Sequence, residues 1–216
     1  MKLVIFDLDG TLLNTIADLA TATNVALEHY GLPTHKEDEY KFFVGNGINK
    51  LFERALPEDK RNEEYVMKIR SIFVPYYDAH NSDLSRPYQG INELLLDLQN
   101  AGIKIAVASN KYQAAAVKLV KEFFPDINFA EILGQRDGVP SKPDPTIVNE
   151  ITEHTGISKK DTVYVGDSCV DMQTGKNADV TTVGVSWGFR PKAELKSYNP
   201  DFIADDAMML HKYLLG

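Results

Sequence analysis

The sequence predicts an α/β fold: a Rossmann-like core built on a parallel sheet, with a helical bundle inserted near its start. Three observations support this prediction. A short apolar run typical of a buried strand, Leu3–Phe6, stops at two acidic residues. The stretch 14–81 that follows shows only helical periodicity. From Gly90 onward, strand and helix patterns alternate, as in folds whose parallel sheet is covered by helices on both faces.

The inserted stretch contains the patterns of amphipathic helices. Apolar positions recur at helical spacing over residues 16–30, 48–56 and 65–76. Pro75 is expected to kink or shorten the last of these helices, because it cannot donate a backbone hydrogen bond. We therefore predict that a helical cap domain covers residues 14–81.

The remainder of the chain is predicted to form the core domain, residues 1–13 together with 82–216. The polar stretch 82–87 is expected to link cap and core. The predicted helices of this part cover residues 91–100, 112–124, 146–154 and 170–177, with one more at the C-terminus. The predicted strands cover residues 103–108, 131–133, 162–165, 181–185 and 201–204. The central strands show little alternation of apolar and polar residues, which is typical of strands buried on both faces.

Composition excludes several classes of protein. The chain has 216 residues and a net charge of −8, which argues against nucleic acid or an anionic membrane as a partner. Cys169 is the only cysteine, so an intrachain disulfide is excluded. The apolar run before Asp7 is too short for a signal-peptide core, and no stretch has the length of a membrane span. A cytoplasmic protein is the expectation.

Two acidic residues follow the first predicted strand, Asp7 and Asp9. Alternate residues of a strand point to the same side, so the two carboxylates should converge at the carboxyl end of the sheet, where ligands bind. Burying them without a compensating charge would be costly. Aspartate oxygens suit Mg²⁺, so this pair predicts a magnesium site. The alternative is a plain acidic turn after a strand.

Three later segments also place polar side chains at the ends of predicted elements. They are Ser109-Asn110-Lys111 after one strand, Ser141-Lys142-Pro143 before a helix, and Gly166-Asp167 with Asp171 after another strand. Each segment alone also fits a helix cap, a turn or a common loop. Together with Asp7 and Asp9, and in this order, they resemble the four motifs of the haloacid dehalogenase superfamily. The resemblance covers nearly the whole chain and implies the fold of that superfamily for the core.

The resemblance implies a Mg²⁺-dependent phosphatase that acts through an aspartyl-phosphate intermediate. Asp7 would be the nucleophile and a metal ligand, and Asp9 the general acid and then base. Dehalogenases of the superfamily lack an acid at the position of Asp9, so its presence favours a phosphatase. The Thr11 hydroxyl would orient a neighbouring carboxylate or phosphate.

The later motifs would hold the phosphoryl group. Ser109 and the backbone N–H of Asn110 would bind it at the start of a predicted helix, where free amides favour anions. Lys142 would neutralise its developing charge.

The remaining acidic motif would complete the metal site. Asp167 would be the third protein contact of Mg²⁺, beside the Asp7 carboxylate and the Asp9 backbone carbonyl. Asp171 would reach the metal through water or hold Lys142.

Among phosphatases, the sequence is most similar to bacterial phosphoglycolate phosphatases and their pyrophosphatase relatives. The similarity rests on Val44-Gly45-Asn46-Gly47, Glu53-Arg54-Ala55-Leu56 and Trp187-Gly188-Phe189-Arg190-Pro191. The expected substrate is a small phosphorylated metabolite, best 2-phosphoglycolate, with Asn46 and Arg54 as candidates to bind its carboxylate. The alternatives are hydrolysis of inorganic pyrophosphate or of sugar phosphates, and a non-catalytic sensor of a phosphorylated ligand.

Overall fold

The computed structural model describes residues 1–216. The strands are β1 (Leu3–Phe6), β2 (Leu13–Asn14), β3 (Arg86–Pro87), β4 (Lys104–Tyr112), β5 (Phe129–Gln135), β6 (Thr162–Gly166), β7 (Thr181–Val185) and β8 (Phe202–Ala204). The α-helices are α1 (Ile16–His29), α2 (Glu37–Phe43), α3 (Ile48–Ala55), α4 (Glu63–His80), α5 (Ile91–Asn100), α6 (Gln113–Phe123), α7 (Thr146–Thr155), α8 (Cys169–Asn177), α9 (Lys192–Ser197) and α10 (Ala207–Leu215).

Six strands form one parallel sheet in the order β5-β4-β1-β6-β7-β8. The predicted α/β fold with a parallel sheet is confirmed. Strand β1 lies inside the sheet with β4 on one side and β6 on the other, and Phe6 is in register with both Val107 and Val165. This register places the carboxyl ends of the three strands side by side, and that edge of a parallel sheet is where ligands bind.

Both faces of the sheet are buried, as the weak alternation of its strands indicates. Along β1, Leu3 and Ile5 pack into one apolar cluster, whereas Val4 and Phe6 pack into another. Successive side chains of a strand point to opposite faces, so one strand serves two layers of helices. None of the helices combines the length and the apolarity that a membrane crossing needs.

Helices α1 to α4 gather around an apolar cluster of their own, which residues such as Leu27, Phe52 and Phe73 fill. Ala115 and Phe189 are its only buried members from outside residues 14–81. The short strands β2 and β3 pair antiparallel where the chain enters and leaves this bundle. We propose that residues 14–81 form a cap domain and that residues 1–13 together with 82–216 form the core domain.

Several elements differ from the sequence-based predictions. Helices α2 and α9 were not predicted, because each buries a single residue, Tyr40 or Leu195, and so lacks an apolar stripe. Pro75 does not shorten α4, which continues to His80. Pro75 lies on the exposed side of α4, and burial of Phe73 and Tyr77 on the opposite side favours the intact helix.

Candidate active site

Three buried carboxylates meet where β1 and β6 end. Asp7 directly follows β1, and its backbone N–H donates to the Val165 carbonyl at 2.9 Å, extending the pairing of the two strands. Asp167 directly follows β6, and Asp171 lies in the first turn of α8. One carboxylate oxygen from each of Asp7, Asp167 and Asp171 lies within 4.8 Å of the others. The neighbouring strands β1 and β6 thus bring together the carboxylates of Asp7 and Asp167, which lie 160 residues apart in the sequence.

Two glycines allow other loops to pack directly on Asp167. A Cβ built on Gly10, whose φ is +87°, would lie 2.4 Å from Asp167 Oδ2. A Cβ on Gly188 would lie 2.3 Å from Asp167 Cβ and 2.4 Å from the Gly10 carbonyl oxygen. Phe189, the next residue, donates its backbone N–H to Asp167 Oδ2 at 2.7 Å. The loop after β7 therefore belongs to the site.

Lys142 is surrounded by acceptors. Its Nζ donates to Asp171 Oδ1 at 2.8 Å, to the Ala108 carbonyl at 3.0 Å and to the Tyr164 hydroxyl at 3.0 Å. Asp7 Oδ1 lies 2.9 Å from the same nitrogen, yet it is buried without a hydrogen bond of acceptable geometry. An ammonium has three protons to donate, and the other acceptors use them. The positive charge of Lys142 therefore stabilises the Asp7 carboxylate electrostatically, although Asp7 Oδ1 accepts no hydrogen bond from it.

The electrostatics of this cluster favour a cation. Burial raises the pKa of the Asp7 carboxyl to about 7, although Lys142 opposes the shift. Burial, and then the charges of Asp171 and Asp7, raise the pKa of Asp167 well above its usual range. Although burial disfavours its charge, Asp171 and Asp7 hold the pKa of Lys142 well above the ordinary value. Several acidic groups thus face one ammonium, and a hard divalent cation such as Mg²⁺ fits this all-oxygen donor set.

The Asp9 carboxylate has a separate set of partners. Thr15 donates its hydroxyl to Asp9 Oδ1 at 2.7 Å, and Lys111 Nζ lies 3.0 Å from Oδ1 and 3.1 Å from Oδ2. The Lys111 side chain is only 2% exposed, and its ammonium lies 4.9 Å from the ring centroid of Tyr77 in α4. Sequence reasoning assigned no role to Lys111. Its place in the sequence could have suggested a role, because Lys111 is the third residue of the polar Ser109-Asn110-Lys111 segment.

Ser109 and Asn110 do not lie at the start of a helix, which corrects the sequence-based prediction. Strand β4 continues through them to Tyr112, which pairs with Gln135, and α6 begins only at Gln113. Residues 109–111 form an irregular stretch of β4 between the pairs Ala108–Leu133 and Tyr112–Gln135, so the N-terminus of a helix does not account for a phosphate site at these residues.

Asn110 instead ties two loops together. Its Nδ2 donates to the Gly45 carbonyl at 2.9 Å and to the Lys142 carbonyl at 3.1 Å, and its Oδ1 accepts from the Lys142 N–H at 2.9 Å. A single side chain therefore bonds the cap loop around Gly45 to the segment that carries Lys142.

The Thr11 hydroxyl lies beside one of the clustered carboxylates. Its Oγ1 is 3.4 Å from Asp167 Oδ1.

A cleft opens above the carboxylates, between the bundle and the sheet edge. Its wall is formed by Asp7, Asp9, Leu19, Val44, Gly45, Gly47, Ile48, Leu51, Ser109, Asn110, Lys111, Asp167, Ser168, Phe189 and Arg190. The helical bundle contributes apolar side chains and glycine backbone, and the ends of the sheet strands and the loops after them contribute the charged and polar groups. Arg190 is a second residue of the site to which sequence reasoning assigned no role, although it belongs to the Trp187–Pro191 segment noted above.

The side chains of Asn46 and Arg54 are not among the residues that form this wall. Arg54 donates from Nη2 to Asn46 Oδ1 at 2.7 Å and from Nη1 to the Phe43 carbonyl at 2.8 Å. Both candidates for substrate recognition therefore bond to each other and to the cap backbone. Gly45 and Gly47, on either side of Asn46, do face the cleft.

Comparison with known proteins gives consistent results. Residues 4–185 match the protein family described as haloacid dehalogenase-like hydrolase. A phosphoglycolate phosphatase of Psychrobacter arcticus is 33% identical and aligns with 99% of this chain and 96% of its own length. One from Vibrio parahaemolyticus is 31% identical, over 95% of this chain and 92% of its own. The crystal structure of a predicted phosphoglycolate phosphatase from Haemophilus somnus superposes with a TM-score of 0.91 at 30% identity, covering 99% and 98% of the two chains.

Proposed function

Because the chain belongs to the haloacid dehalogenase-like hydrolase family, we propose that it hydrolyses a small phosphomonoester, best 2-phosphoglycolate, with the help of Mg²⁺. Its family and its relatives identify it as a phosphatase. The observation that supports the proposed mechanism most strongly is the environment of Asp7 Oδ1. This oxygen is buried and lacks a hydrogen bond, yet it lies 2.9 Å from the Lys142 ammonium. An unbonded, charge-stabilised carboxylate oxygen is suited to act as a nucleophile.

We assign the magnesium site to the carboxylates of Asp7 and Asp167 and the backbone carbonyl of Asp9, with Asp171 reaching the ion through water. The Asp7 and Asp167 carboxylates would supply hard oxygen ligands of the kind that Mg²⁺ prefers, and waters and substrate would complete its shell. When bound, Mg²⁺ would neutralise charge on the phosphoryl oxygens. Lys142 contributes a fixed positive charge beside the same carboxylates.

In the first step, an Asp7 carboxylate oxygen attacks phosphorus and the bond from phosphorus to the ester oxygen breaks. Asp9, in its protonated form, gives its proton to the departing oxygen. In the second step, water attacks the phosphorus of the aspartyl phosphate and loses a proton to Asp9. The bond between phosphorus and the Asp7 oxygen then breaks, which releases inorganic phosphate and restores both carboxyl groups.

The cap loop supports this chemistry by closing the cleft. We propose that Ser109 and the Asn110 N–H hold phosphoryl oxygens, while Thr11 orients Asp167. Asn46 and Arg54 act by shaping the loop whose glycines face the site, since their polar groups bond each other. The apolar residues of the cap exclude water from the cleft, which strengthens every charge interaction inside it.

The test is turnover of 4-nitrophenyl phosphate, 2-phosphoglycolate, pyrophosphate and a hexose phosphate, each with Mg²⁺ and with a chelator. We expect Mg²⁺-dependent hydrolysis with the highest kcat/KM for 2-phosphoglycolate, and none by Asp7→Asn. A higher kcat/KM for pyrophosphate or the hexose phosphate would reassign the substrate. Hydrolysis unaffected by chelation would contradict the assigned metal site.

A further inference from the structure

Arg190 is a cation in the wall of the cleft, and it has no role in the mechanism proposed so far. It lies in the loop after β7, next to Phe189, whose backbone N–H is bonded to Asp167 Oδ2 at 2.7 Å. The close approach of Gly188 to Asp167 fixes the same loop against the carboxylates. The guanidinium is therefore carried by backbone whose position relative to the reacting groups is set by direct contacts.

The hydrogen bonds of Arg190 use only part of its donor capacity. Nη2 donates to the Val44 carbonyl at 3.1 Å and to the Phe42 carbonyl at 3.3 Å. The nearest carboxylate, Glu194, lies 3.9 Å from Nε, which is beyond hydrogen-bond distance. A guanidinium has five N–H donors, so Nε and Nη1 remain available, although the side chain is only 13% exposed.

The other cations near the reacting groups are already paired. Lys142 Nζ bonds Asp171 at 2.8 Å, and Lys111 Nζ bonds Asp9 at 3.0 Å. Of the two cations that form the wall of the cleft, Lys111 and Arg190, only Arg190 has no carboxylate within hydrogen-bond distance. Its surroundings in the wall include the apolar side chains of Val44 and Phe189, which exclude water and strengthen an ion pair formed there.

We propose that Arg190 binds a second anionic group of the substrate, and that the enzyme therefore prefers small phosphomonoesters that carry a carboxylate or a second phosphoryl group. This inference rests on the proposed phosphatase function and identifies the residue that selects the substrate. Arginine forms bidentate hydrogen bonds with either anion. The glycine loop at Gly45 and Gly47 lies in the same wall and allows close approach of backbone to the bound group.

Arg54 provides a matched control. Like Arg190, it donates to the Phe42 carbonyl, at 3.5 Å against 3.3 Å, and so helps to anchor the end of α2. Unlike Arg190, it does not form part of the cleft wall. Removing either guanidinium loosens the same cap loop, but only the Arg190 variant should lose a charge that faces the substrate.

The experiment compares 2-phosphoglycolate with 2-hydroxyethyl phosphate, which replaces the carboxylate by a neutral hydroxymethyl group of similar size. The quantity is the ratio of their kcat/KM values in wild type, Arg190→Gln, Arg190→Lys and Arg54→Gln. We expect Arg190→Gln to reduce this ratio by about tenfold or more, the scale of a lost charged hydrogen bond. Arg190→Lys should retain part of the preference, and Arg54→Gln should change both substrates by the same factor.

A second arm measures pyrophosphate against 4-nitrophenyl phosphate in the same four proteins. A selective loss in this arm alone would support the contact and assign the second group as phosphoryl instead of carboxylate. Unchanged ratios in both arms would overturn the inference, and so would equal losses in Arg190→Gln and Arg54→Gln. Thermal melting of each variant verifies that it is folded.

A binding measurement separates this inference from the proposed function. Trp187 is the only tryptophan and lies three residues before Arg190, so its fluorescence can report ligand binding without turnover. We expect 2-phosphoglycolate or pyrophosphate to bind more weakly to Arg190→Gln, with 2-hydroxyethyl phosphate unaffected. If wild type bound these ligands but hydrolysed none of the esters, the proposed function would fail while the Arg190 contact stood. Equal dissociation constants in wild type and Arg190→Gln would refute the contact even in an active phosphatase.

Discussion

Lys111 Nζ lies 3.0 and 3.1 Å from the two carboxylate oxygens of Asp9, and the pair is closed in by the ring of Tyr77. Strand β4 supplies the lysine, the turn after β1 supplies the aspartate, and cap helix α4 supplies the ring. The group proposed to transfer the proton is thus held by Lys111 from β4 and by the Thr15 hydroxyl just before α1, and the Lys111 ammonium itself lies against the Tyr77 ring. We therefore propose that Lys111 positions Asp9.

Lys111→Met should slow turnover by misplacing Asp9. A displaced catalytic group typically costs about a hundredfold. The loss should be larger for an alkyl phosphate than for 4-nitrophenyl phosphate, because the nitrophenolate leaves without full protonation. Lys121→Met, on the exposed side of α6, serves as the control. Equal losses for both leaving groups would show that Lys111 acts on folding or binding and not through the proton donor.

Tyr164→Phe should weaken the site through Lys142. The Tyr164 hydroxyl accepts one of the three hydrogen bonds of Lys142 Nζ, at 3.0 Å. Without it, that proton is free to bond Asp7 Oδ1 and so to reduce its reactivity as a nucleophile. A hydrogen bond of about 1 kcal/mol corresponds to roughly a fivefold lower kcat. Tyr30→Phe, at an exposed position, is the control, and an unchanged kcat in Tyr164→Phe would contradict this assignment.

Stabilisation by Mg²⁺ should increase with pH. Burial raises the pKa of Asp7 from 3.8 to about 7, and the pKa of Asp167 is raised as well. Since the folded metal-free protein then binds more protons than the unfolded chain, these groups lower its stability as pH rises from about 4 to about 7. Mg²⁺ competes with those protons, so it should raise Tm more at about pH 8 than at about pH 5.5.

Thermal melts with Mg²⁺ and with a chelator at both pH values measure this effect. Asp7→Asn should show a smaller pH dependence of the Mg²⁺ shift, because one of the titrating ligands is gone. A Tm shift of equal size at both pH values in the wild-type protein would mean that the carboxylates are already ionised without the metal.

The sequence was sufficient for the position of the carboxylates but not for their partners. Asp7 and Asp167 each follow an apolar run, so the end of a buried strand could be predicted directly, and the structure places both there. The pairing of Lys111 with Asp9 joins residues 102 positions apart. It depends on β4 lying beside β1, and strand order leaves no local pattern in the sequence.

Arg190 illustrates the same limit. Its contacts with the Val44 and Phe42 carbonyls join the loop after β7 to the end of α2, a helix with too little apolar patterning to be predicted. Arg54 was a reasonable candidate from its helical position, yet its guanidinium bonds Asn46 and the Phe43 carbonyl. The spacing of residues in the sequence indicates which side chains could bind a substrate. Which of them face the cleft depends on how the loops pack in the folded protein.

The proposed mechanism is tested most directly by identifying which residue carries the phosphoryl group during turnover. We predict that rapid acid quenching of the Mg²⁺-loaded enzyme with substrate, followed by peptide mass spectrometry, finds one phosphoryl group on the peptide that contains Asp7. Asp9→Asn should retain that label longer, because the same group serves as base for hydrolysis of the intermediate. A phosphoryl group found on any other residue, or an active enzyme that never carries one on Asp7, would contradict the central claim that Asp7 is the nucleophile.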